Sequence, residues 1–228
     1  MKILVTPRSF KNSVNDEARE KLERFAEVKA VRPEKPFTED ELIALLDGCD
    51  GYVAGLDNVT AKVMENCPQL KVISRWGVGY DKVDTAAAAK AGITVTYTPG
   101  VMAVSVAELA LGLMLDCARR ITVQDGQVRG GVWAPINGME LFGKTVGIIG
   151  YGAIGKQLGR LTNGIGMTTY AYDPFMNEAY AKEHNVLAAD IDFIVKNCDI
   201  VSVHVPYMES TKNIISRERI FSMKDGAI

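Results

Sequence analysis

Short apolar runs alternate with longer amphipathic segments over roughly the first hundred residues. The runs have the length of strands, and the segments between them, near 60–66 and 84–91, have the composition of helices. This alternation predicts a parallel sheet covered by helices on both faces. The runs that predict strands are 3–6, 52–54, 72–74 and 93–96.

The segment TEDELIALLD carries the start signal of one of these helices. Thr38 is followed three residues later by Glu41, which is the spacing of a capping box. The apolar face of Leu42, Leu45 and Leu46 comes directly afterwards. We therefore predict a helix that begins after Thr38 and packs through these leucines.

The pattern changes at YTPG, residues 97–100. The next segment, SVAELALGLMLDCARR at 105–120, opens with a second capping-box spacing, Ser105 with Glu108. It is apolar almost all round, so we expect a helix buried either between domains or against a second subunit. These features predict two domains, 1–98 and 99–228.

A glycine-rich loop gives the strongest chemical signal. An apolar strand at 144–149 runs into GYGAIG, and a helical pattern follows. In a dinucleotide-binding loop, Gly150 allows the tight turn, Gly152 lets a pyrophosphate approach, and Gly155 lets the helix pack on the strand. The phosphates then meet the amide groups at the helix N-terminus.

Asp173 ends the next predicted strand, MTTYAYD. A carboxylate in this position binds the adenosine ribose hydroxyls and repels a 2′-phosphate, so the pattern favours NAD over NADP. The alternative is an ordinary turn between a strand and a helix with an incidental surface Asp.

A second glycine-rich cluster is ISRWGVGYDKVD, residues 73–84. A predicted strand ends at Gly77, Val78 and Gly79, whose N–H groups could turn inward as an anion nest. Arg75 could add a charge-assisted bond to a carboxylate or phosphate. A glycine-rich turn with a solvated Arg is the alternative, and the residues alone leave both open.

A third cluster is CDIVSVHVPYMESTKNII, residues 198–215. The strand at 200–203 places His204, Val205 and Pro206 at its carboxyl end, where ligands bind in open α/β sheets. His204 invites a catalytic role, but a structural hydrogen bond is the commoner use of such a histidine, and a base needs a partner to orient it.

Composition narrows the choice of partners. Hydrophobic residues make up 47% of the 228 residues and charged residues 24%, as in ordinary globular proteins. A net charge of −2 gives no reason to expect nucleic acid. No apolar run has the length of a membrane span, and no signal peptide stands out, so the cytoplasm is expected. The four cysteines form no C-x-x-C pair, so we expect buried thiols and no metal site.

The motifs together resemble the D-isomer-specific 2-hydroxyacid dehydrogenase family, in its D-3-phosphoglycerate dehydrogenase-like branch. The resemblance implies a flavodoxin-like substrate domain and a Rossmann domain that binds NAD. It also implies a homodimer formed partly through the helix at 105–120. The matching segments are VTPRSF, ISRWGVGYDKVD, YTPGVMAVSVAELALGLML, GMELFGKTVGIIGYGAIGKQLG and CDIVSVHVPYMESTKNII.

The resemblance also implies roles for individual residues. The substrate carboxylate would meet Gly77, Val78 and Gly79, with Val78 also near the nicotinamide. The resemblance also implies a set of cofactor-binding residues, which contact the phosphates, contact the adenosine ribose or line the cofactor cleft. These are Gly150, Gly152, Ala153, Ile154, Gly155, Asp173, His204, Val205 and Pro206.

The sequence departs from the family pattern at three positions. Met102 stands where an Asn is common, and Met208 stands where a Thr is usual. Ala54 replaces an Arg that binds phosphate in some phosphoglycerate enzymes, so the resemblance alone does not imply a phosphorylated substrate.

No catalytic residue is assigned within the sequence. The resemblance places a substrate-binding Arg, a general-base His and its partner Glu after Ile228. Asp225-Gly226 is a turn signal, and Ala227-Ile228 have the character of a strand that has just begun. We therefore expect a sequence truncated at its C-terminus, with both domains lacking their last part, and expect these 228 residues alone to be inactive.

Two functions remain in view. The first is an NAD-dependent dehydrogenase of a small D-2-hydroxy acid, with 3-phosphoglycerate the first substrate to try. The second is a non-catalytic NAD-binding protein that resembles the co-repressors of this family, or an inactive fragment.

Overall fold

The computed structural model describes residues 1–11 and 16–228, which form two compact units, Met1–Val101 and Met102–Ile228. Each unit contains one fully parallel β-sheet with helices between successive strands. The predicted α/β fold class is therefore confirmed.

The sheet of the first unit has the strand order β2-β1-β3-β4-β5, which is the flavodoxin-like order. Its strands are β1 (Lys2–Val5), β2 (Glu27–Ala30), β3 (Gly51–Ala54), β4 (Val72–Arg75) and β5 (Thr94–Thr96). The connecting helices are α1 (Asp16–Glu23), α2 (Glu39–Leu46), α3 (Ala61–Glu65) and α4 (Thr85–Lys90), and a 3-10 turn lies at Arg8–Lys11.

The start of α2 follows the prediction. The Thr38 hydroxyl accepts a hydrogen bond from the Glu41 N–H, and the Glu41 carboxylate accepts one from the Thr38 N–H at 2.9 Å. Leu42 and Leu46 are fully buried in the core of the unit, so this helix packs through the expected face.

The sheet of the second unit has the order β8-β7-β6-β9, which corresponds to the 3-2-1-4 part of a Rossmann sheet. Its strands are β6 (Thr145–Ile149), β7 (Thr168–Tyr172), β8 (Val186–Ala188) and β9 (Ile200–Val203). Its helices are α5 (Ala103–Arg119), α6 (Ile121–Arg129), α7 (Ala153–Gly164), α8 (Glu178–Glu183), α9 (Ile191–Asn197) and α10 (Arg217–Phe221).

The long helix α5 differs from its prediction in its start, while its expected burial between domains or against a second subunit stays a prediction. It begins at Ala103 after Met102, whose side chain makes no cap bond, so Ser105 lies inside the helix and the second capping box is wrong. One side, which includes Ala107 and Met114, is buried. The opposite side leaves Leu109 64% and Leu113 56% exposed.

The cysteines also need one correction. Cys49, Cys67 and Cys198 are buried, as expected, but Cys117 is exposed. Because α5 packs on the rest of its unit through one side only, a residue on its other side remains open to solvent.

The last residue is paired with the edge strand β9. The Ile228 N–H donates to the Asp199 carbonyl at 3.0 Å, and the Ile228 carbonyl accepts from the Val201 N–H at 2.8 Å. This alternation is that of a parallel ladder.

Within the described ranges, no helix is long and apolar enough to cross a membrane, and no group of three acidic, His or Cys side chains could hold a metal ion.

Candidate functional site

The loop between β6 and α7 is a sharp turn centred on Gly150. Its φ is +101°, a conformation that residues with a Cβ rarely adopt. Its N–H donates to the Tyr172 carbonyl at 2.8 Å, which ties the turn to the neighbouring strand β7. Gly150, the first glycine of the motif, therefore forms the tight turn that the sequence predicts.

The other two glycines of the loop leave space for different neighbours. A Cβ on Gly155 would lie 2.2 Å from the Gly150 carbonyl oxygen, so only glycine lets α7 start this close to the strand. A Cβ on Gly152 would meet nothing within 4 Å. The space in front of Gly152 is therefore open to a ligand.

Helix α7 presents its free N-terminal amides to that space. Its N-cap is Gly152, with no side-chain cap bond, and the first intrahelical bond runs from the Lys156 N–H to the Gly152 carbonyl at 3.0 Å. The N–H groups of Ala153 and Ile154 precede that bond, and the first amides of a helix have no intrahelical partner. Amides and helix dipole together fit a pyrophosphate.

The Asp173 carboxylate lies beside the loop, one residue beyond the end of β7. One oxygen accepts the Tyr151 N–H at 2.9 Å, and the other accepts the Phe175 N–H at 2.9 Å. Asp173 is partly exposed, and each carboxylate oxygen can accept a second bond. It can thus receive the two hydroxyls of a ribose while the backbone holds it in place.

Sequence reasoning missed Tyr151, although it lies inside the motif. Its amide holds Asp173, and its ring is buried under α7 with a hydroxyl that has no hydrogen-bond partner among the described residues. Burial, with a contribution from Tyr180, raises the Tyr151 pKa to about 12. The motif permits any residue at this position, so no sequence signal could have identified it.

The segment after β9 packs directly against the turn at Gly150. The His204 N–H donates to the Ile149 carbonyl at 2.7 Å. A Cβ on Gly150 would come within 2.7 Å of the His204 carbonyl and 3.0 Å of Val205 Cγ1. The fold therefore brings the ends of β6 and β9 together at one edge, with Pro206 exposed just beyond.

The His204 ring has the environment of a structural histidine. Its Nε2 is 2.8 Å from the Ser202 hydroxyl, and burial lowers the pKa of His204 from its ordinary value, which favours the uncharged ring. A base of the histidine–carboxylate type needs an acid beside the ring. Within the described residues, Ser202 is the ring's hydrogen-bond partner, and no ion pair forms at His204.

In the first unit, the predicted anion nest follows β4 and is only partly available. Gly77, at φ +140°, donates its N–H to the Arg75 carbonyl at 2.9 Å, so this amide is already hydrogen-bonded and is not available to an anion. The N–H groups of Val78 and Gly79 have no backbone partner within the described ranges. Gly77 thus supplies the turn, and the next two residues supply the free donors.

The Arg75 side chain folds back beneath this turn. Its Nη1 donates to the carbonyl of Trp76, and also to that of Ala54 at 3.3 Å. A Cβ on Gly77 would lie 3.5 Å from Nη1, so the guanidinium lies against the nest. Two backbone carbonyls therefore hold the guanidinium in place, and the choice between an anion nest and an ordinary turn stays open.

Residues 111–228 match the family model described as "D-isomer specific 2-hydroxyacid dehydrogenase, NAD binding domain". This match covers more than half of the chain and includes the glycine loop, Asp173 and the segment after β9. The chain belongs to this family. Its second unit is an NAD-binding domain, and its cofactor is NAD, with which the open space at Gly152 and the free amides of α7 agree.

Curated relatives and a solved structure agree with this membership. The chain is 42% identical to hydroxypyruvate reductase of Thermotoga maritima, over 83% of this chain and 62% of that protein. It is 38% identical to D-3-phosphoglycerate dehydrogenase of Methanocaldococcus jannaschii, over 100% of this chain and 43% of that protein. The NAD⁺-bound 3-phosphoglycerate dehydrogenase of Entamoeba histolytica superposes with a TM-score of 0.81 at 30% identity, over 98% of this chain and 68% of that one.

The chain thus spans 62% and 43% of the lengths of these two curated relatives. Their names differ in the acid on which they act, so family membership leaves the substrate of this chain open.

Proposed function

We propose that this chain forms the cofactor-binding and carboxylate-binding parts of an NAD-dependent dehydrogenase of small D-2-hydroxy acids. The arrangement of Gly150, Gly152 and Asp173 at one edge of the second sheet carries the proposal. 3-Phosphoglycerate is the first substrate to test, because two of the relatives described above are named as 3-phosphoglycerate dehydrogenases.

The chain's own residues have distinct tasks in this proposal. Bound NAD supplies a nicotinamide that exchanges a hydride with the substrate carbon. The amides of Ala153 and Ile154 bind its pyrophosphate, and Asp173 binds its adenosine ribose. In the first unit, the amides of Val78 and Gly79, supported by Arg75, bind the substrate carboxylate.

No residue of the described ranges is assigned the proton transfer in this proposal. A histidine that acts as a general base needs a partner that orients its ring. His204 is given no such part, since its Nε2 is bonded to the Ser202 hydroxyl and, among the described residues, no acid orients its ring. We assign His204, Val205 and Pro206 to the wall of the cofactor cleft.

A turnover assay tests the proposed activity. The full encoded protein is mixed with NAD and either enantiomer of glycerate, 3-phosphoglycerate or lactate, and NADH is followed by its absorbance. We expect the D-enantiomer of at least one acid to be oxidised at least about 100-fold faster than its L-enantiomer, because a site that fixes the carboxylate and the hydroxyl directs the single C2 hydrogen of only one enantiomer toward the nicotinamide. NADH binding without turnover of any acid would support the non-catalytic alternative.

We also propose that the chain forms a homodimer through α5 and α6. Large apolar side chains on these two helices are exposed, which is unusual for a free surface. They are Val104, Leu109, Leu113, Ile121, Val123 and Val128.

The double replacement Leu109→Glu with Leu113→Glu is expected to convert the dimer to a monomer. Two carboxylates buried in an apolar interface would have no partner, so the dimer should weaken at least about 100-fold. Light scattering during gel filtration measures the mass. The matched control is Leu187→Glu on β8, a leucine 49% exposed, which should leave the mass unchanged. A monomeric wild-type protein would contradict the proposed dimer.

A further inference from the structure

A buried carboxylate, that of Asp57, lies just after β3 in the first unit and is 1% exposed. Neutral groups from three segments donate hydrogen bonds to it. They are the Thr6 hydroxyl at 2.7 Å, the Tyr52 hydroxyl at 2.6 Å and the Phe37 N–H at 2.9 Å. Burial and the bond to Asp57 raise the pKa of Tyr52, so its hydroxyl stays protonated and donates. Burial of a carboxylate is costly unless such bonds compensate it, and these bonds join the end of β1, strand β3 and the segment before α2.

Thr6 extends this network to the peptide group between Ala54 and Gly55. The Thr6 Oγ1 accepts the Gly55 N–H at 3.0 Å, while the Thr6 hydroxyl donates to Asp57. A Cβ on Gly55 would lie only 3.1 Å from this Oγ1, so the absence of a side chain favours the close approach. One hydroxyl therefore connects the Asp57 carboxylate to the N–H side of the peptide group.

The carbonyl side of the same peptide group holds the start of the carboxylate-binding turn. The Ala54 carbonyl accepts the Trp76 N–H at 3.0 Å and the Arg75 Nη1 at 3.3 Å. A peptide group is planar, so its N–H and its carbonyl rotate together. A rotation that breaks the bond from Gly55 to Thr6 would therefore also move the carbonyl away from Trp76 and Arg75.

The position of Trp76 and Arg75 matters because the free amides of the turn follow directly. The N–H groups of Val78 and Gly79 have no backbone partner within the described ranges, so no other backbone bond fixes their direction. Groups that bind a reacting molecule must be held to within about 0.5 Å by the residues behind them. In the first unit, the peptide group at Ala54 supplies that support.

We propose that Asp57 and Thr6 are positioning residues for the carboxylate-binding turn. They act through the peptide group between Ala54 and Gly55 and make no bond to the acid themselves. The assignment rests on the proposed function for the identity of the ligand. The support of Arg75 through this peptide group is a property of the first unit alone.

A matched pair of replacements at Thr6 tests this role in the full encoded protein. Thr6→Val keeps the shape of the side chain but removes the hydroxyl, so the Gly55 N–H loses its acceptor. Thr6→Ser keeps the hydroxyl. Because a buried donor without a partner is costly, we expect Thr6→Val to raise the KM for the preferred acid at least about tenfold. Thr6→Ser should stay close to the wild type.

Asp57→Asn tests the other end of the network. The amide keeps the volume of the side chain but replaces one acceptor oxygen with a donor, so we again expect a KM at least about tenfold higher. Loss of binding that substrate and transition state share leaves kcat unchanged. The affinity for NADH should also stay the same in all these variants, since the cofactor loop belongs to the second unit.

Leu70→Ala separates positioning from general loss of stability. Leu70 is 4% exposed and precedes β4 at the opposite edge of the sheet, so this variant loses core packing without touching the network. Hydrogen exchange of residues 75–79, measured by mass spectrometry without any acid, reports on the turn itself. We expect this segment to exchange faster, relative to the strands of the sheet, in Thr6→Val and Asp57→Asn, but not in Thr6→Ser or Leu70→Ala.

The outcomes distinguish this assignment from the proposed function. Equal KM values and equal exchange in Thr6→Val and Thr6→Ser would overturn the assignment, as would a KM in Leu70→Ala that rises as much as in Thr6→Val. If the wild type oxidises no acid, the proposed dehydrogenase function fails instead. Hydrogen exchange then decides alone: faster exchange at 75–79 in Thr6→Val but not in Thr6→Ser supports the positioning role, and equal exchange overturns it.

Discussion

Gly150→Ala is expected to weaken NADH binding at least about 100-fold and to destabilise the protein by about 3 kcal/mol. The new methyl group would lie 2.7 Å from the carbonyl carbon and oxygen of His204. The alanine would also have to adopt a φ of +101°, where a residue with a Cβ is strained. Strain of about 1–2 kcal/mol and overpacking of about 1–3 kcal/mol both act, and the displaced turn would no longer aim α7 at the pyrophosphate.

Gly143→Ala separates these two causes. Gly143 also has a positive φ, +72°, but a Cβ there would meet nothing within 4 Å. This variant should lose about 1–2 kcal/mol of stability through strain alone and should bind NADH as the wild type does. Chemical denaturation gives the free energy of unfolding, and NADH fluorescence gives the affinity. Equal NADH affinity in the Gly150 variant and the wild type would remove the turn from the cofactor site.

Asp173→Ala is expected to weaken NADH binding by about 10- to 100-fold and to reduce the preference for NADH over NADPH by at least about tenfold. Hydrogen bonds to a charged acceptor contribute about 1.5–3 kcal/mol, and the variant loses those to the ribose. It also loses the negative charge that repels a 2′-phosphate. Calorimetry with both cofactors measures the two effects.

Asp173→Asn distinguishes charge from hydrogen bonding. Its amide keeps one acceptor for the Tyr151 or Phe175 N–H, but the charge is gone. NADPH should therefore gain affinity in both variants, while the loss of stability should be larger for Asp173→Ala. Glu183→Gln, an exposed acid on α8, should change neither affinity. Unchanged affinities for both cofactors in Asp173→Ala would show that Asp173 does not contact the ribose.

The glycine loop could be predicted from the sequence because its requirements are local. The turn at Gly150, the close approach at Gly155 and the free space at Gly152 all depend on the absence of a side chain at a fixed spacing. The position of Asp173 was predictable as well, since it directly follows the strand next to the loop. Its two bonds to backbone amides were not, because they depend on how the turns at Tyr151 and Phe175 fold.

Local signals were misleading where packing decides the outcome. Ser105 and Glu108 have capping-box spacing, yet α5 already begins at Ala103, so Ser105 cannot cap it. Strands β2, with the sequence EVKA, and β8, with the sequence VLA, were missed because neither contains an apolar run of strand length. Without a long apolar run, an edge strand gives little sequence signal.

A cavity at the carboxyl ends of β1, β3 and β4 in the first unit had no sequence signal apart from Arg75. The residues Arg8, Lys35, Asp57 and Arg75 line it, although they are far apart along the chain and belong to four different segments. The strand order β2-β1-β3-β4 brings the ends of those segments side by side. Only the sheet topology reveals that three cations share one space with a carboxylate whose hydrogen bonds are already made.

Titration of the wild-type protein with NADH and NADPH is the most direct test of whether the second unit binds NAD through its glycine loop and Asp173. We predict saturable binding of one NADH per chain, with NADPH at least about tenfold weaker, because Asp173 accepts the ribose hydroxyls and repels a 2′-phosphate. No saturable binding of NADH, or NADPH binding that equals or exceeds it, would contradict this account of the site.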